Sequence, residues 1–207
     1  MRVYAESNFV LEIVLEQEQH QACEKLVKLA AAKSIELVLP AFALLEPYQT
    51  IVRRKSEGKG LHDGLGRSAQ QLLRTAWIAA DVPRLREAAD ILLRAEQEAS
   101  RRFLAVRTRL LDVARMIAID GPVLRTASLL VTQLDLELPD ALMLASVLGD
   151  AAEQPSQSIF INRNTKDFDD PDVKARLSRV ACDLVWKFDD GLARVESVLA
   201  KDAGTQR

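Results

Sequence analysis

The alternation of apolar and polar positions changes period several times along the chain, and each change marks an element. Arg2-Val3-Tyr4-Ala5 is a short β-prone run that stops at the polar triplet Glu6-Ser7-Asn8. Phe9 to Leu15 is an apolar helical stretch. Gln17 to Ala32 is an amphipathic helix with Ala22, Leu26, Leu29 and Ala30 on one face. Ile35 to Leu39 predicts a second strand, stopped by Pro40. A helix from Phe42 carries Leu44, Leu45, Tyr48 and Ile51 inward and runs out near Gly58 and Gly60. The glycine-rich segment 58–66 reads as a flexible linker, and 66–114 as long helices interrupted at Asp81-Val82-Pro83.

In the second half, Met116–Ile119 predicts a third strand, closed by Asp120-Gly121-Pro122. A helix follows over Val123–Gln133. Pro139-Asp140 then opens Ala141–Gly149, a helix apolar on nearly every side and therefore central. Ser158–Ile161 and Val180–Val185 predict the last two strands, and a helix from about Gly191 to Ala200 follows. Strands alternating with helices predict an α/β fold of three layers, α/β/α, around a central parallel sheet of four to five strands.

Composition narrows the class. The 207 residues, 48% hydrophobic and 28% charged, suit one domain over 1–207 and exclude a disordered or collagenous chain. No apolar run reaches the roughly 18 residues of a membrane span, so no membrane partner is expected. No basic segment leads into an apolar one at the start, and Cys23 and Cys182 have no CxxC spacing. Together these point to a cytoplasmic protein with two buried thiols. The net charge of −2 argues weakly against nucleic acid, but it is unevenly distributed. Residues 51–120 hold 14 Lys/Arg against 9 Asp/Glu, while the rest hold 14 against 21.

Polar residues at strand ends carry the candidate chemistry, because parallel α/β sheets bind ligands outside the carboxyl ends of their strands. Glu6 and Asn8 follow the first strand, Glu46 lies beyond the second, Asp140 begins the central helix, and Asn164 and Asp167 follow the strand at Ser158–Ile161. Crowded carboxylates repel one another, so such a convergence calls for a divalent cation. Oxygen ligands without histidine or cysteine favour Mg²⁺ or Mn²⁺. Each acid also has a plain structural role open to it, as a helix cap, a first-turn acid or a solvated loop residue.

The ordered set Val3-Tyr4-Ala5-Glu6-Ser7-Asn8, Leu37-Val38-Leu39-Pro40 leading to Glu46, Leu138-Pro139-Asp140-Ala141, and Phe160-Ile161-Asn162-Arg163-Asn164 with Asp167-Phe168 resembles the PIN-domain nucleases. That family includes the VapC-type toxin ribonucleases. The likeness covers 1–58 and about 114–185, leaving about 59–113 as a helical insertion. It implies a metal-dependent endoribonuclease in which Glu6, Glu46, Asp140 and Asp167 are catalytic acids. Glu6, Glu46, Asp140, Asn164 and Asp167 would be metal ligands, supported by Ser7 and Asn8. Glu6 stands where the family usually has Asp, and Asn164 where it often has Asp, so the fourth ligand is either Asn164 or Asp167.

The implied partners are RNA, single-stranded or structured, an antitoxin protein and a second copy of the chain. Arg53, Arg54, Lys55, Arg101 and Arg102, with Arg107 and Arg109, are the expected contacts to the phosphate backbone. The departures at Glu6 and Asn164 motivate an alternative, a degenerate PIN-like module that binds RNA or protein without catalysis. In another class, the helical insertion docks a partner through Leu72, Leu73, Leu92 and Leu93.

Overall fold

The computed structural model describes residues 1–154 and 156–205. It divides into two compact units, one of residues 1–47 and 106–207, the other of residues 48–105.

In the first unit, β1 (Arg2–Ala5), β2 (Glu36–Pro40), β3 (Arg115–Ile117), β4 (Ser158–Ile161) and β5 (Cys182–Val185) form one parallel sheet in the order β3-β2-β1-β4-β5. Residues of β1 and β4 are buried throughout, the pattern of strands covered on both faces. Tyr4, Val38 and Phe160 point to one face, where they meet α5 (Gly121–Leu134), α6 (Leu138–Glu153) and α8 (Pro171–Arg179). On the other face lie α1 (Ser7–Leu15), α2 (His20–Ala31) and α9 (Phe188–Thr205), joined by the edge-to-face pair Phe9–Phe188. The whole stretch from Ala141 to Val147 is buried, so α6 is the central helix its all-round apolar surface predicts.

Gly191 in α9 sits where a Cβ would collide with the Ile161 side chain, so α9 reaches the sheet only because this position lacks one.

The strand order carries a functional consequence. The chain moves outward from β1 to β2 and β3, then crosses back to place β4 on the other side of β1. The reversal falls between β1 and β4, and the crevice at the carboxyl ends of two such strands is where open α/β sheets bind ligands.

The second unit is built from the later part of α3 (Phe42–Leu72), a 3₁₀ turn at Ala79–Asp81 and the earlier part of α4 (Val82–Val113). The expected linker at 58–66 is helical instead, lying wholly within α3. Each glycine in a helix costs about 1 kcal/mol against alanine, and packing against α4 overrides that cost. At Gly58 the missing side chain leaves room for Glu96, whose Cγ lies 3.1 Å from where a Cβ would stand. Tyr48 packs on Phe103 with ring centroids 5.9 Å apart. The compact unit begins at Tyr48.

Smaller corrections follow from tertiary packing. The third strand is Arg115–Ile117, shorter than Met116–Ile119, and the fifth begins at Cys182. Phe188 rather than Gly191 starts the last helix. The acid-rich segment after Asn164 is two short helices, α7 (Thr165–Phe168) and α8, because Asp170 caps α8 through the amides of Asp172 and Val173.

Candidate functional site: an acidic crevice at the strand reversal

Glu6 leaves β1 in extended conformation and caps α1. Its Oε2 accepts from the Asn8 backbone amide at 2.8 Å. Its Oε1 accepts from the Arg163 amide at 3.2 Å, just past β4. The longer glutamate side chain thus lies back against two backbone donors and bridges the strands that flank the reversal. Burial pushes its pKa up to about 7, against the pull of those donors and with a further push from Glu46.

Directly after β4, Asn162 is buried, and its Oδ1 accepts from the Asn164 amide at 2.7 Å, folding the chain into the turn before α7. Asn164 Nδ2 then donates to two acids, Asp167 Oδ2 at 2.7 Å and Asp140 Oδ1 at 3.0 Å. Burial raises the Asp140 pKa, and Asp167, Glu46 and Glu137 add to it, while the Asn164 amide opposes the rise. Glu46 is half-buried near the start of α3, close enough to repel both Glu6 and Asp140. Lys166 Nζ stands 4.0 Å from Asp167 Oδ1.

Glu6, Glu46, Asp140, Asn164 and Asp167 therefore come to one end of the sheet and interact. Among the described residues, no three acids, cysteines or histidines stand close enough to make a preformed metal group. The donors on offer are carboxylate and amide oxygens, the chemistry that hard divalent cations take. An amide also carries an acceptor oxygen a half-turn from its NH₂. Beside Glu6, Ser7 Oγ is buried without a hydrogen-bond partner among the described residues.

No family model matches the chain, and no curated protein is significantly similar to it.

The expected basic contacts fare differently from the acids. Arg53, Arg54 and Lys55 are exposed on α3, with Arg53 Nε 3.8 Å from Glu57. Arg101 is bonded by two nitrogens to Glu98 one turn earlier, so much of its charge is answered locally. Arg102 lies half-buried on α4. Arg109 pairs with Glu24 of α2 at 2.7 Å and serves the packing of the first unit. Cys23 and Cys182 are both buried and free, with their thiols pushed up by burial.

Two further groups were not legible as site residues. Asn162 shapes the turn that aims Asn164; its signal was a polar residue directly after an apolar strand. Glu12 is fully buried in α1 and bound to the guanidinium of Arg163; its signal was a lone charge inside Phe9–Leu15.

Proposed function

We propose that the chain is a divalent-metal-dependent endoribonuclease of PIN type. The observation that carries this reading is the convergence of Glu6, Glu46, Asp140, Asn164 and Asp167 at the carboxyl ends of β1 and β4. The raised pKa of Glu6 and of Asp140 comes first from burial, with a smaller push from neighbouring acids that a bound cation would relieve.

Asp140, Asp167, the Asn164 amide and Glu6 would hold Mg²⁺ or Mn²⁺, which when bound lowers the pKa of a water and offsets charge on phosphoryl oxygens. Glu46 would orient the attacking water and accept its proton. Asn164 keeps Asp140 and Asp167 at a fixed separation, and Asn8 holds the Glu6 carboxyl against α1. Arg53, Arg54, Lys55, Arg101 and Arg102 supply salt-sensitive attraction for RNA without sequence reading. Single-stranded or looped RNA suits a recessed acidic crevice best. No helix among the described residues is long and apolar enough to cross a membrane, and the reading places the enzyme in the cytoplasm. Acting as a toxin, it would need an antitoxin protein that covers these acids. A second copy of the chain is the other protein partner proposed.

One observation favours a second reading, a PIN-like module that binds RNA or protein without catalysis. Asn164 already answers Asp140 and Asp167, and both Glu6 oxygens already accept amide hydrogens. RNA cleavage with Mn²⁺, for wild type, Asp140→Asn and Glu46→Gln, separates the two. The nuclease reading expects activity that EDTA abolishes and either substitution reduces by about 100-fold or more. Activity that survives EDTA or both substitutions overturns it. RNA binding without cleavage, and no calorimetric signal with Mn²⁺, selects the module.

A further inference from the structure

Glu12 is the one fully buried carboxylate of α1, and what it binds links three parts of the first unit. Its Oε2 accepts from the backbone amide of Gln19 at 2.8 Å, where the chain turns from α1 into α2. Gln19 Oε1 in turn accepts from the amides of Phe188 and Asp189 at 2.6 and 3.2 Å, at the start of α9. The other oxygen of Glu12 is bonded by Nη1 of Arg163. Arg163 is the residue whose backbone amide holds Glu6.

We propose that Glu12 and Arg163 are positioning residues for the acidic crevice, with the buried carboxylate fixing the β4–α7 turn so that the Arg163 amide stays aimed at Glu6. This role rests on the reading of Glu6 as part of the functional acid cluster. The physical case is one of constraint. A charge-assisted bond to a fully buried partner fixes the guanidinium far more tightly than a solvent contact, since the buried oxygen has no water to exchange for it. Among the described residues, the second arm of the guanidinium meets only Glu18 at 4.0 Å, an exposed side chain. Glu12 is therefore the anchor, and Arg163 transmits its position through one residue's own backbone. The two line a cleft of about 530 Å³ with Asn8, Gln17 and Glu18, so the pair sits at the wall beside the second amide that holds Glu6.

Backbone amide hydrogen exchange by NMR tests this without any cleavage assay. Glu12→Gln keeps the shape of the side chain and removes the charge. It is expected to speed exchange at the Arg163 amide by about ten-fold or more, while amides of Val3 and Ile159 in the adjoining strands keep their protection. Arg163→Gln, a change at a one-third exposed side chain, is expected to do the same, and Arg163→Lys to restore part of the protection. Unchanged exchange at Arg163 in the variants overturns the proposal. So does a loss spread equally over Val3 and Ile159, which marks a purely structural tie. Should Glu12→Gln fail to fold, Arg163→Gln with Arg163→Lys decides by the same criteria. Where the wild type cleaves RNA, both Gln variants are expected to lower kcat by about 10- to 100-fold with KM little changed. A wild type that cleaves nothing counts against the nuclease reading, and the exchange result still decides the role of the pair.

Discussion

Asn164 places its side-chain nitrogen 3.0 Å from Asp140 and holds that acid by a donated hydrogen bond, while the same nitrogen reaches Asp167 at 2.7 Å. One neutral amide therefore does between two carboxylates what a cation does in an all-acid cluster, at a fraction of the charge.

Replacing that amide with a carboxylate removes the donor and adds a third negative charge. Asn164→Asp is expected to lose about 1–3 kcal/mol of stability in EDTA. It should also gain more than the wild type when Mn²⁺ is added. Thermal unfolding with and without the ion reads both effects. Equal Mn²⁺ shifts in the two proteins would show that these three side chains do not share a cation.

The acids also set a pH dependence. Glu6 titrates near 7 in the folded chain against 4.5 for a free glutamate, so between these values the folded state keeps a proton the unfolded chain has released. Its contribution is fully present below 4.5 and is lost as pH rises through 7, a total of about 3 kcal/mol. Asp140, also raised, adds in the same direction. Urea unfolding in EDTA at pH 5 and pH 8 is expected to show a smaller loss across that interval in Glu6→Gln. A slope identical to wild type would mean that Glu6 is ionised throughout.

At the amino ends of the strands the pattern reverses. Arg115 grips Asp150 with two nitrogens at 2.6 and 2.8 Å and Glu36 at 2.6 Å, while Arg2 and Tyr4 complete the network. Both acids are held below their usual range by these partners, against the opposing effect of burial. Their contribution is present above the ordinary carboxylate values and lost as pH falls through the depressed ones. Arg115→Ala leaves the buried Asp150 short of a partner, and a loss of about 3 kcal/mol in denaturant unfolding is expected.

The contact between Gly191 and Ile161 yields a steric prediction. Gly191→Ala should destabilise by about 1–3 kcal/mol despite alanine's better helix propensity. Shortening the neighbour with Ile161→Val in the same chain should recover part of it. A neutral Gly191→Ala would mean that α9 shifts without cost.

Much of the sheet was legible because its strands are short, continuous apolar runs, and the central helix because Ala141–Val147 has no polar face. The acids could be placed at strand ends by the same logic. Their order across the sheet could not, since nothing local in β1 says that β2 and β4 flank it. Helical continuity through Gly58–Gly66 was hidden for a related reason: the α4 side chain packed at Gly58, Glu96, lies more than 30 residues on. Glu12 and Asn164 show the same limit at single residues. The buried role of Glu12 depends on a guanidinium from Arg163, and the donor role of Asn164 on Asp140, each supplied from over 20 residues away.

The central position of β1 has a consequence for the order in which the protein comes together. Its partner on one side, β2, follows within about 30 residues, but the pairing of Ala5 with Ile161 waits for most of the chain. During synthesis, β1 and β2 can associate early while the Glu6 carboxyl still lacks the Arg163 amide and the neighbouring acid Asp167. A nascent chain thus carries half a crevice, and the acidic centre closes only after β4 has emerged.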